Sequence, residues 1–227
     1  MTTQRAITIA IDGPASSGKG TAAKNVARSL DYAYIDTGAM YRAVALFGME
    51  RSIPLKDGEA IGPLAAGIDF QFRWDGDKLR IIADGRDVST VIRTEKVGMG
   101  ASDVGVVPAV RAALLDQQRA LGAAGGVVMD GRDIGTVVLP EADLKIYLDA
   151  SPQERARRRH AELVARGLTK TLDEVLTEIV DRDHQDKNRA TAPLRQAEDA
   201  VYLDTTSMAI DAVGEAILTL AKQRINT

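Results

Sequence analysis

The stretch that decides the fold reads Gly13-Pro14-Ala15-Ser16-Ser17-Gly18-Lys19-Gly20-Thr21. It follows a short apolar run at 7–11 and precedes a segment, Lys19 to Leu30, that we predict to be a helix. Glycines let successive backbone N–H groups turn toward a phosphate, the helix N-terminus adds its positive end, and Lys19 supplies a point charge. Residues 13–21 are therefore predicted to bind the phosphates of a nucleoside triphosphate such as ATP.

One position of this loop departs from the commonest pattern. The position after the lysine usually carries serine or threonine for a magnesium ion, but here it is Gly20, and the hydroxyl comes one residue later at Thr21. A GTPase-type switch needs the hydroxyl in its usual place. The order Gly-Lys-Gly-Thr therefore favours a kinase that acts on small molecules.

Four further segments resemble the first apolar run, and each ends in aspartate. They are Tyr32 to Asp36, Gly126 to Asp130, Leu144 to Asp149 and Val201 to Asp204. Continuous apolarity is typical of strands buried on both faces, and the helical stretches between them suit the crossovers of a parallel sheet. The predicted fold is α/β, a doubly wound five-stranded parallel sheet whose ligands bind outside the carboxyl ends of the strands.

Three other regions have patterns of their own. Ile68 to Trp74 alternates apolar and polar residues, and Asp-Gly pairs at 75–76 and 84–85 predict a small antiparallel meander whose aromatic residues form its own core. Pro152 to Arg189 is densely charged, which suits an exposed helical hairpin that could move. From Ser207 to Ile225 we expect a terminal helix capped by the serine.

Composition excludes several classes of function. The chain of 227 residues has no cysteine, which rules out disulfides, thiolate metal sites and a cysteine nucleophile. A net charge of -3 argues against a nucleic-acid partner, and the only histidines, His160 and His184, form no zinc-binding pattern. The apolar run at the start is too short for a signal peptide. We expect a cytoplasmic enzyme with no membrane segment.

Four motifs in a fixed order carry a resemblance to a known family. Besides the loop at 11–21 they are Asp36-Thr37-Gly38-Ala39-Met40-Tyr41-Arg42, then Asp130-Gly131-Arg132-Asp133-Ile134-Gly135-Thr136-Val137-Val138, then Arg182-Asp183 with Asp186 and Arg189 before Ala192-Pro193-Leu194. With these the chain resembles the nucleoside monophosphate kinases, and within them the bacterial-type cytidylate kinases, over nearly its whole length. Thr37 stands where that family often has serine, and both residues carry a hydroxyl.

The resemblance implies a reaction and its participants. It implies transfer of the γ-phosphoryl group of ATP, with Mg²⁺, to CMP or dCMP, giving CDP or dCDP and ADP. It implies a single monomeric domain, 1–227, with an acceptor-binding insert at about 62–98 and a lid at about 152–190. The implied catalytic residues are Lys19, Arg132 and Arg182. The implied substrate-binding residues are Thr37, Tyr41, Arg42, Ser102, Arg111, Arg132, Asp133, Arg182, Asp186 and Arg189.

The chemistry of several of these residues suits such roles. Arginine is a better bidentate donor to a phosphate dianion than lysine, which favours Arg42 and Arg132 as ligands of the acceptor phosphate. Arg182, Asp186 and Arg189 have spacings of i, i+4 and i+7, which predicts one helical face. A second cluster follows Pro152, and we expect one of its members to lie near ATP. That cluster is Arg155, Arg157, Arg158 and Arg159.

Two alternatives remain at the level of the sequence. A related kinase acting on UMP or another small nucleotide has the same general pattern. A nucleotide-gated switch that binds and slowly hydrolyses its nucleotide is disfavoured because the chain lacks an NKxD guanine-reading motif and carries arginine clusters of its own.

Overall fold

The computed structural model describes residues 5–226. The helices are α1 Lys19–Leu30, α2 Thr37–Glu50, α3 Gly58–Gly67, α4 Glu95–Gly105, α5 Pro108–Gly122, α6 Pro152–Ala165, α7 Leu172–Asn188 and α8 Ile210–Ile225. The strands are β1 Thr8–Asp12, β2 Ala33–Asp36, β3 Phe70–Asp75, β4 Lys78–Ala83, β5 Arg86–Asp87, β6 Val127–Gly131, β7 Leu144–Asp149 and β8 Val201–Asp204. A 3₁₀ turn at Val91–Arg93 and a π-helical turn at Ile134–Val138 complete the order.

The larger sheet has five strands in the order β2-β6-β1-β7-β8. The pairs β1–β6, β1–β7 and β7–β8 are all parallel. In the three central strands Ile9, Val128 and Ile146 are at most 1% exposed, because helices cover both faces of a parallel sheet. The predicted α/β fold with five parallel strands is confirmed.

Register brings the carboxyl ends of the central strands level with one another. Asp12 at the end of β1 lies opposite Gly131 of β6 on one side and Tyr147 of β7 on the other. Phosphate-binding loops and catalytic side chains of such sheets start from this edge. The residues that follow β1 and β6 are therefore the first candidates for a site.

By its internal contacts the chain forms two compact units. The first comprises the chain up to Tyr32 together with the part from Gly125 onward, and the second is Ala33–Ala124. Each unit has its own buried apolar core, and the core of the second lies among α2, α3, α5 and the smaller sheet.

The smaller sheet, β3-β4-β5, is the predicted antiparallel meander. Phe70 is buried and Trp74 stacks on Tyr34 with ring centroids 6.5 Å apart, so the aromatic residues pack within their own unit as expected. One turn differs from the prediction. Asp75 still pairs with Lys78 in the ladder, so the first turn is Gly76-Asp77 and not Asp75-Gly76.

Helices α6 and α7 form a charged hairpin with a small core. Ser151 caps α6 by accepting from the backbone N–H of Glu154, and Thr171 with Glu174 forms a capping box at α7. The apolar side chains between the two helices are Ala156, Leu163, Val175, Leu176 and Ile179. Few apolar groups hold α6 and α7 together, and many residues on the surface of the hairpin are charged.

The terminal helix begins later than expected. The backbone N–H of Met208 bonds the carbonyl of Thr205, and this turn occupies the residues around Ser207. Helix α8 therefore starts at Ile210 with Ala209 as its N-cap, and the predicted serine cap is wrong.

None of the described helices is long and apolar enough to cross a membrane by itself. The bent pair α4 and α5, which meet at 97°, reaches that length and composition only when both helices are taken together.

Candidate active site

The loop after β1 packs closely against β7 and has no side chain at the N-terminus of α1. A Cβ atom on Gly13 would lie 2.0 Å from the carbonyl oxygen of Leu148, so glycine is the one residue that fits there. Gly18, with φ of 90°, is the N-cap of α1 and has no side chain to occupy the helix N-terminus. The backbone N–H groups of the first turn are thus available to an anion.

A buried hydroxyl lies inside this loop. Ser17 Oγ is shielded from solvent and has no hydrogen-bond partner among the described residues. A buried polar group without a partner costs free energy, and binding sites are where such groups occur.

Lys19 is the first residue of α1 and is 7% exposed. Its Nζ donates to the carbonyl oxygen of Pro14 at 2.8 Å, within the loop itself. Burial, and then the positive charge of Arg132, lower the pKa of Lys19 to about 7. A bound polyphosphate would supply the negative charge that this buried ammonium group lacks.

A pair of charged side chains accompanies Lys19 in the first unit. Arg132, which follows β6, donates through Nε to Asp186 of α7 at 2.8 Å. Burial alone would raise the pKa of Asp186, but the charges of Arg132 and Arg182 outweigh it and hold that pKa below its usual range. Asp186 therefore stays ionised and holds Arg132 in place.

Arg182 is one turn earlier on α7. Its Nε is buried and lacks a hydrogen-bond partner within the described part of the chain. Burial, and then the nearby charge of Arg132, lower the pKa of Arg182 to about 10. A half-buried guanidinium group whose Nε is shielded from solvent beside a second guanidinium is best explained by an anionic ligand.

Asp133 and Arg189 form a second buried pair. Arg189 Nη2 donates to Asp133 Oδ1 at 3.1 Å, and its Nε donates to the carbonyl oxygen of Ala192 at 2.7 Å. Helix α7 ends at Asn188, and Arg189 is its C-cap in extended conformation. The predicted single helical face therefore holds only Arg182 and Asp186, while Arg189 is directed by the turn that follows.

In the second unit the structure groups the other predicted substrate-binding residues. Thr37 begins α2, whose first turn is capped by Asp36, and Arg42 Nη1 donates to the carbonyl oxygen of Ile92 at 3.2 Å. The guanidinium of Arg111 lies 5.7 Å from the ring centroid of Tyr41. Ser102 is partly buried on α4.

Comparison with known proteins identifies the family. A family profile described as cytidylate kinase matches residues 9–223. The chain belongs to the cytidylate kinase family. It is 47% identical to the cytidylate kinase of Geobacter sp. (strain M21), covering 98% of this chain and 95% of the relative. It is 49% identical to the cytidylate kinase of Exiguobacterium sibiricum, covering 95% of this chain and 97% of the relative.

Structural similarity supports the fold. A crystal structure of an uncharacterized protein from Eubacterium ventriosum superimposes with a TM-score of 0.50 at 9% identity, covering 95% of this chain and 98% of that one. The predicted membership of the cytidylate kinase family, and with it an ATP-dependent kinase, is confirmed.

The contacts of the four arginines of α6 show which of them reach the phosphate-binding loop. Arg155 is 2% exposed, pairs with Asp183 of α7 and donates to the carbonyl oxygen of Ala15 at 3.2 Å. Arg158 donates to Thr205 and approaches the carbonyl oxygen of Ser17 at 3.5 Å. Two of the four arginines thus reach the phosphate-binding loop.

The other two members of the cluster form exposed ion pairs, Arg157 with Glu154 and Arg159 with Glu162. Three buried polar residues that touch the site were given no role by the sequence reasoning, although Asp12 and Asp183 lie within its motifs. Asp12, Asp183 and Thr205 are at most 7% exposed, and each is hydrogen-bonded to a segment distant in sequence. The aspartate that ends β1 was visible in the sequence as a strand-terminal carboxylate, but its partners were not.

Proposed function

We propose that this cytidylate kinase transfers the γ-phosphoryl group of ATP to CMP or dCMP, giving CDP or dCDP and ADP. The observation that carries the phosphoryl-transfer chemistry is a group of three cations in the first unit, of which Lys19 is buried and the two arginines are half-buried. Burial, and then the charges of Arg132 and Arg182, lower the pKa of Lys19, which places the three cations close together. The choice of CMP is supported by the relatives named cytidylate kinase.

The donor is assigned to the loop at 13–21. Its N–H groups and the N-terminus of α1 bind the phosphates of ATP, and Lys19 exchanges the carbonyl oxygen of Pro14 for a phosphate oxygen. Arg132 and Arg182 neutralise charge that spreads over the transferring group. Preorganised cations of this kind are the main source of rate enhancement in phosphoryl transfer.

The transfer is direct. An oxygen of the acceptor phosphate attacks the γ-phosphorus, and the bond from that phosphorus to the oxygen bridging it to the β-phosphate breaks, so that ADP leaves with the electron pair. The acceptor oxygen is already ionised near neutral pH, and no side chain has to remove a proton from it. A covalent enzyme intermediate is not required.

Magnesium fits this site as a partner of ATP. Within residues 5–226 no group of three or more His, Asp or Glu side chains is placed to hold a metal ion. Mg²⁺ in kinases is bound mostly by phosphate and water oxygens, so a loop that has Gly20 where a serine or threonine ligand usually stands would hold it through the phosphates of ATP. When bound, Mg²⁺ neutralises part of the phosphate charge.

The acceptor is assigned to two sets of residues by the family pattern. Arg42 and Arg132 bind its phosphate, Thr37 and Tyr41 lie with Arg42 in one motif, and Asp186 accepts from the ribose. Ser102, Arg111, Asp133 and Arg189 read the pyrimidine base. The buried pairing of Asp133 with Arg189 supports the last assignment, because both side chains are held in fixed orientation. The insert at about 62–98, the lid at about 152–190, the monomeric state and the cytoplasmic location stay predictions.

A panel of acceptors tests the proposed function. ADP release should be measured with ATP and each of CMP, dCMP, UMP, AMP and GMP under identical conditions. We expect CMP and dCMP to give the highest kcat/KM, with one ADP formed for each acceptor phosphorylated. A preference for UMP or a purine nucleotide, or ADP release without an acceptor, would contradict the proposal.

Proton uptake on ATP binding is a further expected result. Because the pKa of Lys19 is about 7 in the free enzyme, much of this side chain is neutral at about pH 7.5. Bound phosphates raise that pKa, so binding takes up a proton and becomes tighter as the pH falls toward 7. Calorimetric titrations in buffers of different ionisation enthalpy measure the uptake. Lys19→Ala is the control, because the proton uptake that arises from ATP itself is the same in both proteins and can be subtracted. Equal uptake by the wild type and this variant would contradict the assignment of the proton to Lys19.

A further inference from the structure

Asp12 is a buried carboxylate to which the proposed mechanism gives no task. It is the last residue of β1, directly before Gly13, and is 4% exposed. Both of its oxygens are engaged. Oδ1 accepts from the backbone N–H of Ile134 at 2.8 Å, and Oδ2 accepts from that of Gly135 at 2.7 Å.

These two N–H groups belong to the π-helical turn at Ile134–Val138. The first N–H groups of a helical turn have no partner within it, and here one carboxylate satisfies two of them. The other end of the turn is closed by the carbonyl oxygen of Asp133, which accepts from the N–H groups of Val137 and Val138. The backbone of Asp133 is thus fixed by a turn that Asp12 anchors.

The same residue also fixes the chain before Arg132. In the parallel ladder Asp12 lies opposite Gly131, the last residue of β6. Arg132 and Asp133 therefore lie between two points that Asp12 fixes. One point is its strand partner Gly131, and the other is the pair of N–H groups of Ile134 and Gly135. Any displacement of the carboxylate shifts one end of this two-residue span.

Keeping this carboxylate ionised is costly to the fold. Burial, opposed by the two backbone hydrogen bonds, raises the pKa of Asp12 to about 6, and the charge of Asp133 adds to the increase. A neutral side chain of the same size would avoid this desolvation. The charged carboxylate is a strong bidentate acceptor, fixed in place, for the N–H groups of Ile134 and Gly135.

We propose that Asp12 is a positioning residue for phosphoryl transfer. It ties the start of the phosphate-binding loop to the Ile134–Gly135 backbone and thereby sets Arg132 and Asp133 for the acceptor nucleotide. This rests on the proposed function, in which those two residues bind the acceptor. The donor loop is held separately, by Lys19, Arg155 and Arg158 through the carbonyl oxygens of Pro14, Ala15 and Ser17.

The test is Asp12→Asn, which keeps the volume but presents an amide N–H to one of the two donors. We expect kcat/KM for CMP to fall by about tenfold, as for one lost hydrogen bond to a charged group, while KM for ATP changes by less than about threefold. Removing a buried charge favours the fold and an amide N–H facing a backbone N–H disfavours it, so the melting temperature should change little. A merely structural aspartate would leave both kinetic parameters of the folded enzyme unchanged.

Asp143→Asn is the matched control. Asp143 lies near the opposite end of β1 and accepts from the N–H and the hydroxyl of Thr8 at 2.7 and 2.9 Å. The same substitution there should lower the melting temperature and leave both kinetic parameters of the folded enzyme unchanged.

Gly135→Ala disturbs the hydrogen bond between Gly135 and Asp12 by changing the donor residue. A Cβ on Gly135 would lie 3.2 Å from Cδ of Lys145 and 3.4 Å from Asp12 Oδ2. Because Lys145 is 8% exposed and ion-paired with Asp199, the turn that carries Gly135 has to shift by a few tenths of an ångström. We expect the kinetic signature of Asp12→Asn with the charge still present, and this variant serves if Asp12→Asn does not fold.

The inference is overturned if folded Asp12→Asn or Gly135→Ala matches the wild type in kcat/KM for the acceptor. It is also overturned if KM for ATP rises as much as the acceptor efficiency falls. The wild-type acceptor panel separates this failure from that of the proposed function. If another nucleotide proves to be the acceptor, the same three variants are compared with that nucleotide.

Discussion

Lys19→Ala is expected to lower kcat by about 10²- to 10³-fold, the loss typical of removing one preorganised group that stabilises a developing charge. The side chain is 7% exposed at the first position of α1, and its Nζ donates within the loop to the carbonyl oxygen of Pro14. A point charge held there acts on the transferring phosphoryl group more than on the ground state. Turnover at saturating ATP and CMP, measured by coupled ADP release, gives the result directly.

The fold should survive this change. Removing a buried ammonium group whose pKa burial has lowered to about 7 relieves a desolvation cost, so the melting temperature should not fall. Lys24→Ala is the matched control because Lys24 is on the same helix but partly exposed. It should retain wild-type kcat. A Lys19→Ala enzyme with near-normal kcat would rule out residues 13–21 as the donor site.

Features that depend on local sequence were predictable. The strands of the large sheet, the helix Lys19–Leu30 and the loop between them follow from short apolar runs, glycine positions and one lysine. The meander was visible because alternation and Asp-Gly pairs are local as well. Its first turn moved by one residue since ladder pairing between Asp75 and Lys78 outweighed the usual Asp-Gly turn.

Side-chain partners were not predictable, because they join segments far apart in the chain. Asp133 and its neighbour Arg132 carry opposite charges, yet each has a different partner. In the structure Arg132 donates to Asp186, and Asp133 accepts from Arg189. No periodicity within one segment contains this information, since the choice depends on how α7 ends and on where the turn at Ala192 directs Arg189.

The C-terminal end of α7 shows why helical spacing did not predict the position of Arg189. A spacing of i and i+7 places two residues on one face only while the helix continues, and α7 stops at Asn188. The partners of Asp12 and Arg155 could not be predicted for the converse reason. A lone aspartate at a strand end and one arginine among four have no local feature that reveals contacts with Gly135 or Asp183.

Asp133→Ala is expected to lower kcat/KM for CMP by about ten- to 150-fold while UMP changes little or improves. Cytosine carries an exocyclic amino donor that a carboxylate can accept from, whereas uracil presents a carbonyl at that position and would face a lone pair. Losing a hydrogen bond to a charged group costs roughly 1.5–3 kcal/mol, which gives the stated factor. The measurement is kcat/KM for both nucleotides with the same mutant enzyme.

The structure supplies the competing explanation and a way to exclude it. Asp133 also accepts from Arg189, so its removal releases that arginine, and a role limited to holding Arg189 predicts equal losses for CMP and UMP. Asp133→Asn keeps the volume and an oxygen for Arg189, but its amide can donate to the uracil carbonyl. If Asp133 reads the base, this variant gains UMP activity while it loses CMP activity, and the ratio of the two kcat/KM values narrows further than in Asp133→Ala. Parallel losses in both variants would assign base discrimination to other residues.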